Sequence, residues 1–182
     1  MSLICMFLLI LAGCGGFEQD KLRKADIALQ DAAGKTIVAY GMDRKEVEKT
    51  LGDGTMNNEA KMIVYQEGKV SIWYRGTKVV GFICSNPEYS TPRGIRLGMT
   101  AMEVRNAYGT KSMSRLESSM TEGYKTFYYA YDTERRIPLG AEKPTYNENQ
   151  LKKQFSISFL LDGDGYVQNF SASDNLIGFF LR

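Results

Sequence analysis

A twelve-residue phrase occurs twice in this chain and constrains its fold more than any other stretch. Residues 41–52 read Gly-Met-Asp-Arg-Lys-Glu-Val-Glu-Lys-Thr-Leu-Gly, and residues 98–109 read Gly-Met-Thr-Ala-Met-Glu-Val-Arg-Asn-Ala-Tyr-Gly. Gly, Met, Glu, Val and the closing Gly keep one register in both. Each copy specifies a short helix. Asp43 and Thr100 suit the N-cap, and Glu46 and Glu103 follow at the spacing of a capping box. Met42 and Met99 fall where a hydrophobic staple begins, with Val47 and Val104 at its far end. Val47 with Leu51, and Val104 with Tyr108, lay an apolar stripe along one helix face. Gly52 and Gly109 suit the left-handed turn that ends a helix. Capping accounts for Glu46 and Glu103, so they are not read as a catalytic carboxylate pair.

Strand signals follow each phrase. Residues 62–65, 70–74 and 79–84 are rich in β-branched and aromatic side chains, with Glu67-Gly68 and Gly76-Thr77 between them. They predict a meander of two tight hairpins. In the second half, residues 124–131 (Tyr-Lys-Thr-Phe-Tyr-Tyr-Ala-Tyr) predict a strong strand, and 155–161 with 166–171 a hairpin around Asp162-Gly163-Asp164-Gly165. Residues 113–123 read as a further helical turn or loop, and 176–181 as a last strand or core-covering tail. The expected fold class is α+β, a tandem repeat of a short helix packed on an antiparallel β-meander. The first repeat is placed at 36–90 and the second at 91–182, the latter with a long loop at 132–154.

The N-terminus sets the expected compartment. Residues 3–12 are continuously apolar and are followed by Leu11-Ala12-Gly13-Cys14, which looks like a bacterial lipobox. An apolar run this short suits the core of a signal peptide better than a membrane span. Residues 1–13 are therefore expected to be a lipoprotein signal peptide, with lipid on Cys14. Residues 14–35 are expected to be a tether, either a solvated spacer or a marginal helix. Cys84 would then be the lone mature cysteine, most simply a buried apolar side chain.

The chain has no histidine, which removes His-based triads, general bases and metal ligands. No catalytic residue and no cofactor is expected. A formal net charge of +2 with no long basic run argues against nucleic acid. Asp162-Gly-Asp-Gly resembles the opening of a calcium loop, but Ser173 stands where the twelfth-position glutamate would be, so it reads as a hairpin turn and no metal is expected. An interaction surface is expected where the halves differ. Trp73, Tyr128, Tyr129 and Tyr131 are candidate aromatic contacts, and Arg135 and Arg136 candidate charged ones on the 132–154 loop.

The phrase Gly-Met-x-x-x-Glu-Val-x-x-x-x-Gly followed by a meander resembles the BLIP-like superfamily, which includes β-lactamase-inhibitor protein and small SmpA/OmlA-type envelope lipoproteins. The resemblance covers residues 36–172 and implies a fold and a lipoprotein habit, with no catalytic residue. Together these features predict a lipid-anchored protein of the bacterial cell envelope, on the outer side of the cytoplasmic membrane or in the periplasm. Its expected role is a non-catalytic protein-interaction module, a scaffold or inhibitor with an envelope protein partner. The alternative is a module for a small ligand or glycan. An aromatic-lined pocket with convergent polar groups favours the alternative, and a broad exposed patch at Trp73 and Tyr128 favours a protein partner.

Overall fold

A computed structural model describes residues 17–117, 123–139 and 147–180. Among these, one antiparallel sheet of nine strands dominates. A hairpin of β1 (Ala28–Gln30) and β2 (Thr36–Ala39) precedes helix α1 (Arg44–Leu51). Next come β3 (Thr55–Asn57), β4 (Met62–Tyr65), β5 (Val70–Arg75) and β6 (Lys78–Cys84). Helix α2 (Ala101–Tyr108) leads into β7 (Met113–Glu117), β8 (Lys125–Asp132) and the two-residue β9 (Ile137–Pro138). The chain then forms α3 (Glu148–Leu151), β10 (Gln154–Leu161), β11 (Val167–Asp174) and α4 (Asn175–Phe180).

The sheet order is β3-β4-β5-β6-β11-β10-β8-β7, with β9 beside the end of β8. This corrects the expected α+β tandem of helix-on-meander units. The sheet is continuous through both halves, and the helices among the described residues are four short segments. The chain is mostly β. Strand β6 would present an unpaired edge at the end of a separate first unit, and pairing with β11 satisfies it instead. Gly81 makes that contact fit: a Cβ there would lie 2.5 Å from the Ser173 Cβ and 2.9 Å from the Ala172 carbonyl oxygen.

Side-chain alternation divides the sheet into two faces. One cross-strand row runs Tyr65, Val70, Cys84, Phe170, Phe159 and Phe127, all buried. Val47 and Leu51 of α1, Val104 and Tyr108 of α2, and Ile27, Leu29 and Val38 of the β1–β2 hairpin close over that face. The adjacent row, on the other face, is Val64, Ser71, Ile83, Ser171, Ser158 and Tyr128, half-buried throughout.

The helix phrases form as their residues dictate. Asp43 accepts from the Lys45 amide at 3.1 Å while Glu46 accepts from the Asp43 amide at 3.2 Å. At α2, Thr100 Oγ1 accepts from the Glu103 amide at 3.3 Å and Glu103 from the Thr100 amide at 2.7 Å. Two local readings differ. Residues 113–117 are strand β7, because they pair with β8, and 175–180 are helix α4.

The described part of the expected tether, residues 17–35, is folded into the molecule. Leu22, Ile27 and Leu29 are buried, and Arg93 binds the segment down. Its Nε donates to Asp26 Oδ1 at 2.6 Å, and its guanidinium also donates to the carbonyls of Glu18, Lys21 and Ala107. The Asp26 and Arg93 side chains are 0% and 1% exposed. Antiparallel pairing of residues 28–30 with 36–39 makes a strand of what reads as a weak helical stripe.

Candidate functional site

The expected interaction residues separate in the structure. Trp73 is 7% exposed and its indole N–H donates to the Ala60 carbonyl at 3.3 Å. Tyr129 is 1% exposed, packs on Tyr108 and Phe159, and donates its hydroxyl to the Gly109 carbonyl at 3.2 Å. Both are core residues, so the exposed aromatic patch expected of them is corrected. For Tyr129 the cause is alternation along β8, which turns Phe127, Tyr129 and Tyr131 toward the covered face and leaves Tyr128 half-buried on the other. Arg135 is exposed and pairs with Asp132 at 3.7 Å. Arg136 is exposed in a left-handed turn at φ 59°. Cys14 lies outside the described residues.

Tyr131 and Arg136 do come together, in a cleft of about 630 Å³. One wall is the N-terminal segment, with Glu18, Lys21, Leu22, Arg23 and Lys24. The opposite wall is the end of β8 and its turn, with Tyr131, Thr133 and Arg136. Lys152, Lys153 and Phe155 enter from the start of β10, and Tyr40 follows β2. The volume falls in the range of small-molecule sites.

Each wall is held in place. Asp20 fastens the N-terminal segment beside the end of α2: its carboxylate accepts from the Lys111 amide at 2.6 Å and the Ser112 amide at 2.9 Å. Gly109 permits this approach, since a Cβ there would lie 2.5 Å from the Asp20 carboxylate. On the β8 side, buried Asp132 accepts from the Glu134 and Arg135 amides at 3.0 and 2.9 Å and fixes the turn that presents Arg136. Tyr40 donates to Asp174 Oδ2 at 2.7 Å, and Arg75 pairs with the same carboxylate at 3.0 Å. The Tyr40 ring meets Phe155 edge-on, with centroids 5.1 Å apart. Burial, and then the bond to Asp174, push the Tyr40 hydroxyl up to about 12. At neutral pH it is therefore a fixed, uncharged ring.

Charge is the distinctive property of the lining. Lys21, Arg23, Lys24, Arg136, Lys152 and Lys153 are six cations facing one lining carboxylate, Glu18. Glu134 and Glu148, just outside, pair with Lys153 at 2.8 Å and Lys152 at 3.9 Å. With those two included, six cations face three carboxylates among the described residues, an excess of three positive charges there. Glu18 pairs with Lys21 and Arg23. The hydrogen bond to Lys21 lowers the Glu18 carboxyl below its ordinary value, and Glu18 raises the Lys21 ammonium above its own. These contacts are solvent-exposed and screened by water and salt, so an incoming anion can exchange with them. Lys24 sits 5.2 Å over the Tyr40 ring, with no carboxylate partner among the described residues. Arg136 has neither hydrogen bond nor ion pair among them. Such an arrangement can hold an anion that takes over weak internal pairs and engages Lys24 and Arg136.

Sequence reasoning reached Tyr131 and Arg136 but assigned Lys21, Arg23 and Lys24 to a tether, either a solvated spacer or a marginal helix. The usable signal was the short apolar run Ile27-Ala28-Leu29, buried throughout, which ties that segment to the core. The Asp162 turn is a hairpin connection. Its carboxylate accepts from the Asp164 and Tyr166 amides at 3.1 and 2.9 Å and from Gln168 at 2.6 Å.

No helix among the described residues is long and apolar enough to cross a membrane. No protein-family model and no curated protein matches the chain. Among solved structures, the chain is similar to an extracellular protein containing an SCP domain from Bacillus anthracis, at 11% identity and a TM-score of 0.46. That likeness covers 75% of this chain but 44% of the other, and at this level it carries no argument about fold or function.

Proposed function

We propose that this protein is a non-catalytic binding module of the bacterial cell envelope, anchored through lipid on Cys14, that captures a small anionic ligand in the basic cleft. The observation that carries the reading is the convergence of six cations on a half-open cleft beside the fixed rings of Tyr40, Tyr131 and Phe155. Cations and ring edges supply orientation and charge, which a binding site needs. The buried positions of Trp73 and Tyr129 favour this reading over a broad protein-recognition face. The Leu-Ala-Gly-Cys run ending at Cys14 supports the anchor.

Isothermal titration with glycerol 1-phosphate tests the binding. The expected result is saturable binding that weakens about tenfold or more in Lys24→Glu/Arg136→Glu and is unchanged in Lys35→Glu, an exposed control. Binding that ignores the double variant, or no binding of glycerol 1-phosphate or citrate, would overturn the reading. Mass spectrometry of the exported protein tests the anchor: acyl chains on Cys14 are expected, and an unmodified Cys14 would refute it.

A further inference from the structure

The described residues start three positions after Cys14, the expected point of attachment. Phe17 already packs against Arg93, with the guanidinium 5.1 Å from the ring centroid, and Glu18 already lines the cleft. Covalent geometry allows the three residues from Cys14 to Phe17 a span of at most about 11 Å. A lipid on Cys14 therefore holds the N-terminal wall of the cleft at the headgroup layer, where a long tether would have held it clear. The segment expected to separate the protein from the bilayer is instead part of the binding site.

We infer that the anion taken by the cleft is the phosphate of an anionic phospholipid headgroup in the same membrane leaflet that carries the protein's own lipid. This rests on the anion-binding reading above and on the anchor at Cys14. Three features select a headgroup. Exposed Lys21, Lys24, Arg136 and Lys153 lie among the lining residues, so a phosphate meets cations from both walls. Leu22, Tyr131 and Phe155 are 4%, 5% and 5% exposed, so the apolar part of the lining offers no deep slot for an acyl chain and the chains stay in the bilayer. An anionic leaflet also concentrates its phosphates where a basic surface is held against it. The cleft thus acts as a second, reversible contact that fixes the orientation of a protein already confined by its lipid.

Lysine footprinting of the lipidated protein tests this. The protein is reconstituted in phosphatidylcholine vesicles with and without phosphatidylglycerol, acetylated briefly, and read by mass spectrometry. Phosphatidylglycerol is expected to slow acetylation of Lys21, Lys24, Lys152 and Lys153 severalfold while Lys35, Lys49 and Lys69 react as before. Arg136→Glu should remove most of that protection. Uniform protection of all lysines would reduce the effect to general surface attraction and overturn the inference. Protection by soluble glycerophosphoglycerol in phosphatidylcholine vesicles, without protection by phosphatidylglycerol, would mean a free phosphate ester is the ligand. That outcome refutes the lipid source and leaves the anion-binding reading standing. Protection by neither would refute both, and an unacylated Cys14 would remove the placement at the membrane.

Discussion

Arg93 and Arg136 carry the same guanidinium group into opposite circumstances, both next to the N-terminal segment. Arg93 is 1% exposed, forks onto Asp26, donates to three backbone carbonyls and lies 4.5 Å from the Tyr108 ring centroid. Arg136 is exposed on a left-handed turn and has no partner among the described residues. A buried charge survives only if its partners are built into the fold, so Arg93 and Asp26 are structural. A cation that lines a cleft on a well-bonded turn adds nothing to that accounting, which is why Arg136 belongs to the proposed anion site. Where internal partners are complete the charge holds the fold, and where none is found among the described residues the charge is one that the proposed anion would engage.

The largest way to break this comparison is Arg93→Ala. It leaves Asp26 buried and uncompensated, at an expected cost of about 3–5 kcal/mol. Thermal unfolding followed by circular dichroism should show a drop of roughly 10 °C or more. A drop of only a degree or two would mean the N-terminal segment is loosely attached and the first wall of the cleft is wrong. Tyr40→Phe comes next. It removes a hydrogen bond to the buried Asp174 carboxylate, for a loss of about 1.5–3 kcal/mol by denaturant titration.

The same tyrosine predicts a pH dependence. The folded state keeps the Tyr40 proton to about pH 12, whereas an ordinary phenol releases it near 10.0. Its stabilisation is complete below pH 10 and is lost as pH rises to 12. Buried Cys84, pushed by burial from 9.0 up to about 11, starts the decline a unit earlier. Denaturant midpoints should therefore be flat up to about pH 9 and fall above it. A flat profile to pH 12 would contradict the burial of these groups. Thr100→Ala is smaller still, costing about 1 kcal/mol through the α2 cap. Arg136→Ser should leave stability within about 0.5 kcal/mol while weakening anion binding roughly fivefold, the reverse of Arg93→Ala.

What could be read from the sequence was local. The capping boxes at Asp43 and Thr100 formed because every group that they need lies within four residues. Strands β4, β5 and β6 were legible for the same reason, from side-chain type and the turns between them. The join of β6 to β11 was not, since it pairs Gly81 with Ser173 and Cys84 with Phe170, far apart in the chain. Local propensity says which segments are strands but little about which distant edge each will meet. The two helix phrases were persuasive as motifs, and each covers only eight helical residues of a chain whose backbone is chiefly strand. The cleft was hidden for a related reason. Its lining comes from residues 18–24, 40, 131–136 and 152–155, and only the fold brings these together. Along β8, aromatic residues on both faces (Phe127, Tyr129 and Tyr131 on one, Tyr128 on the other) made burial and exposure equally compatible with the letters alone, and only the cover of α2 over Tyr129 decides between them.

The central claim is that the cleft cations serve an external anion, and its most direct test is the NMR of reductively ¹³C-methylated lysines during titration with glycerol 1-phosphate. The dimethylamino resonances of Lys21, Lys24, Lys152 and Lys153 should move together along one binding curve. Those of Lys35, Lys49, Lys61 and Lys69, spread over the rest of the surface, should stay where they are. Equal movement of all lysines, or none in the four that line the cleft, would contradict the account.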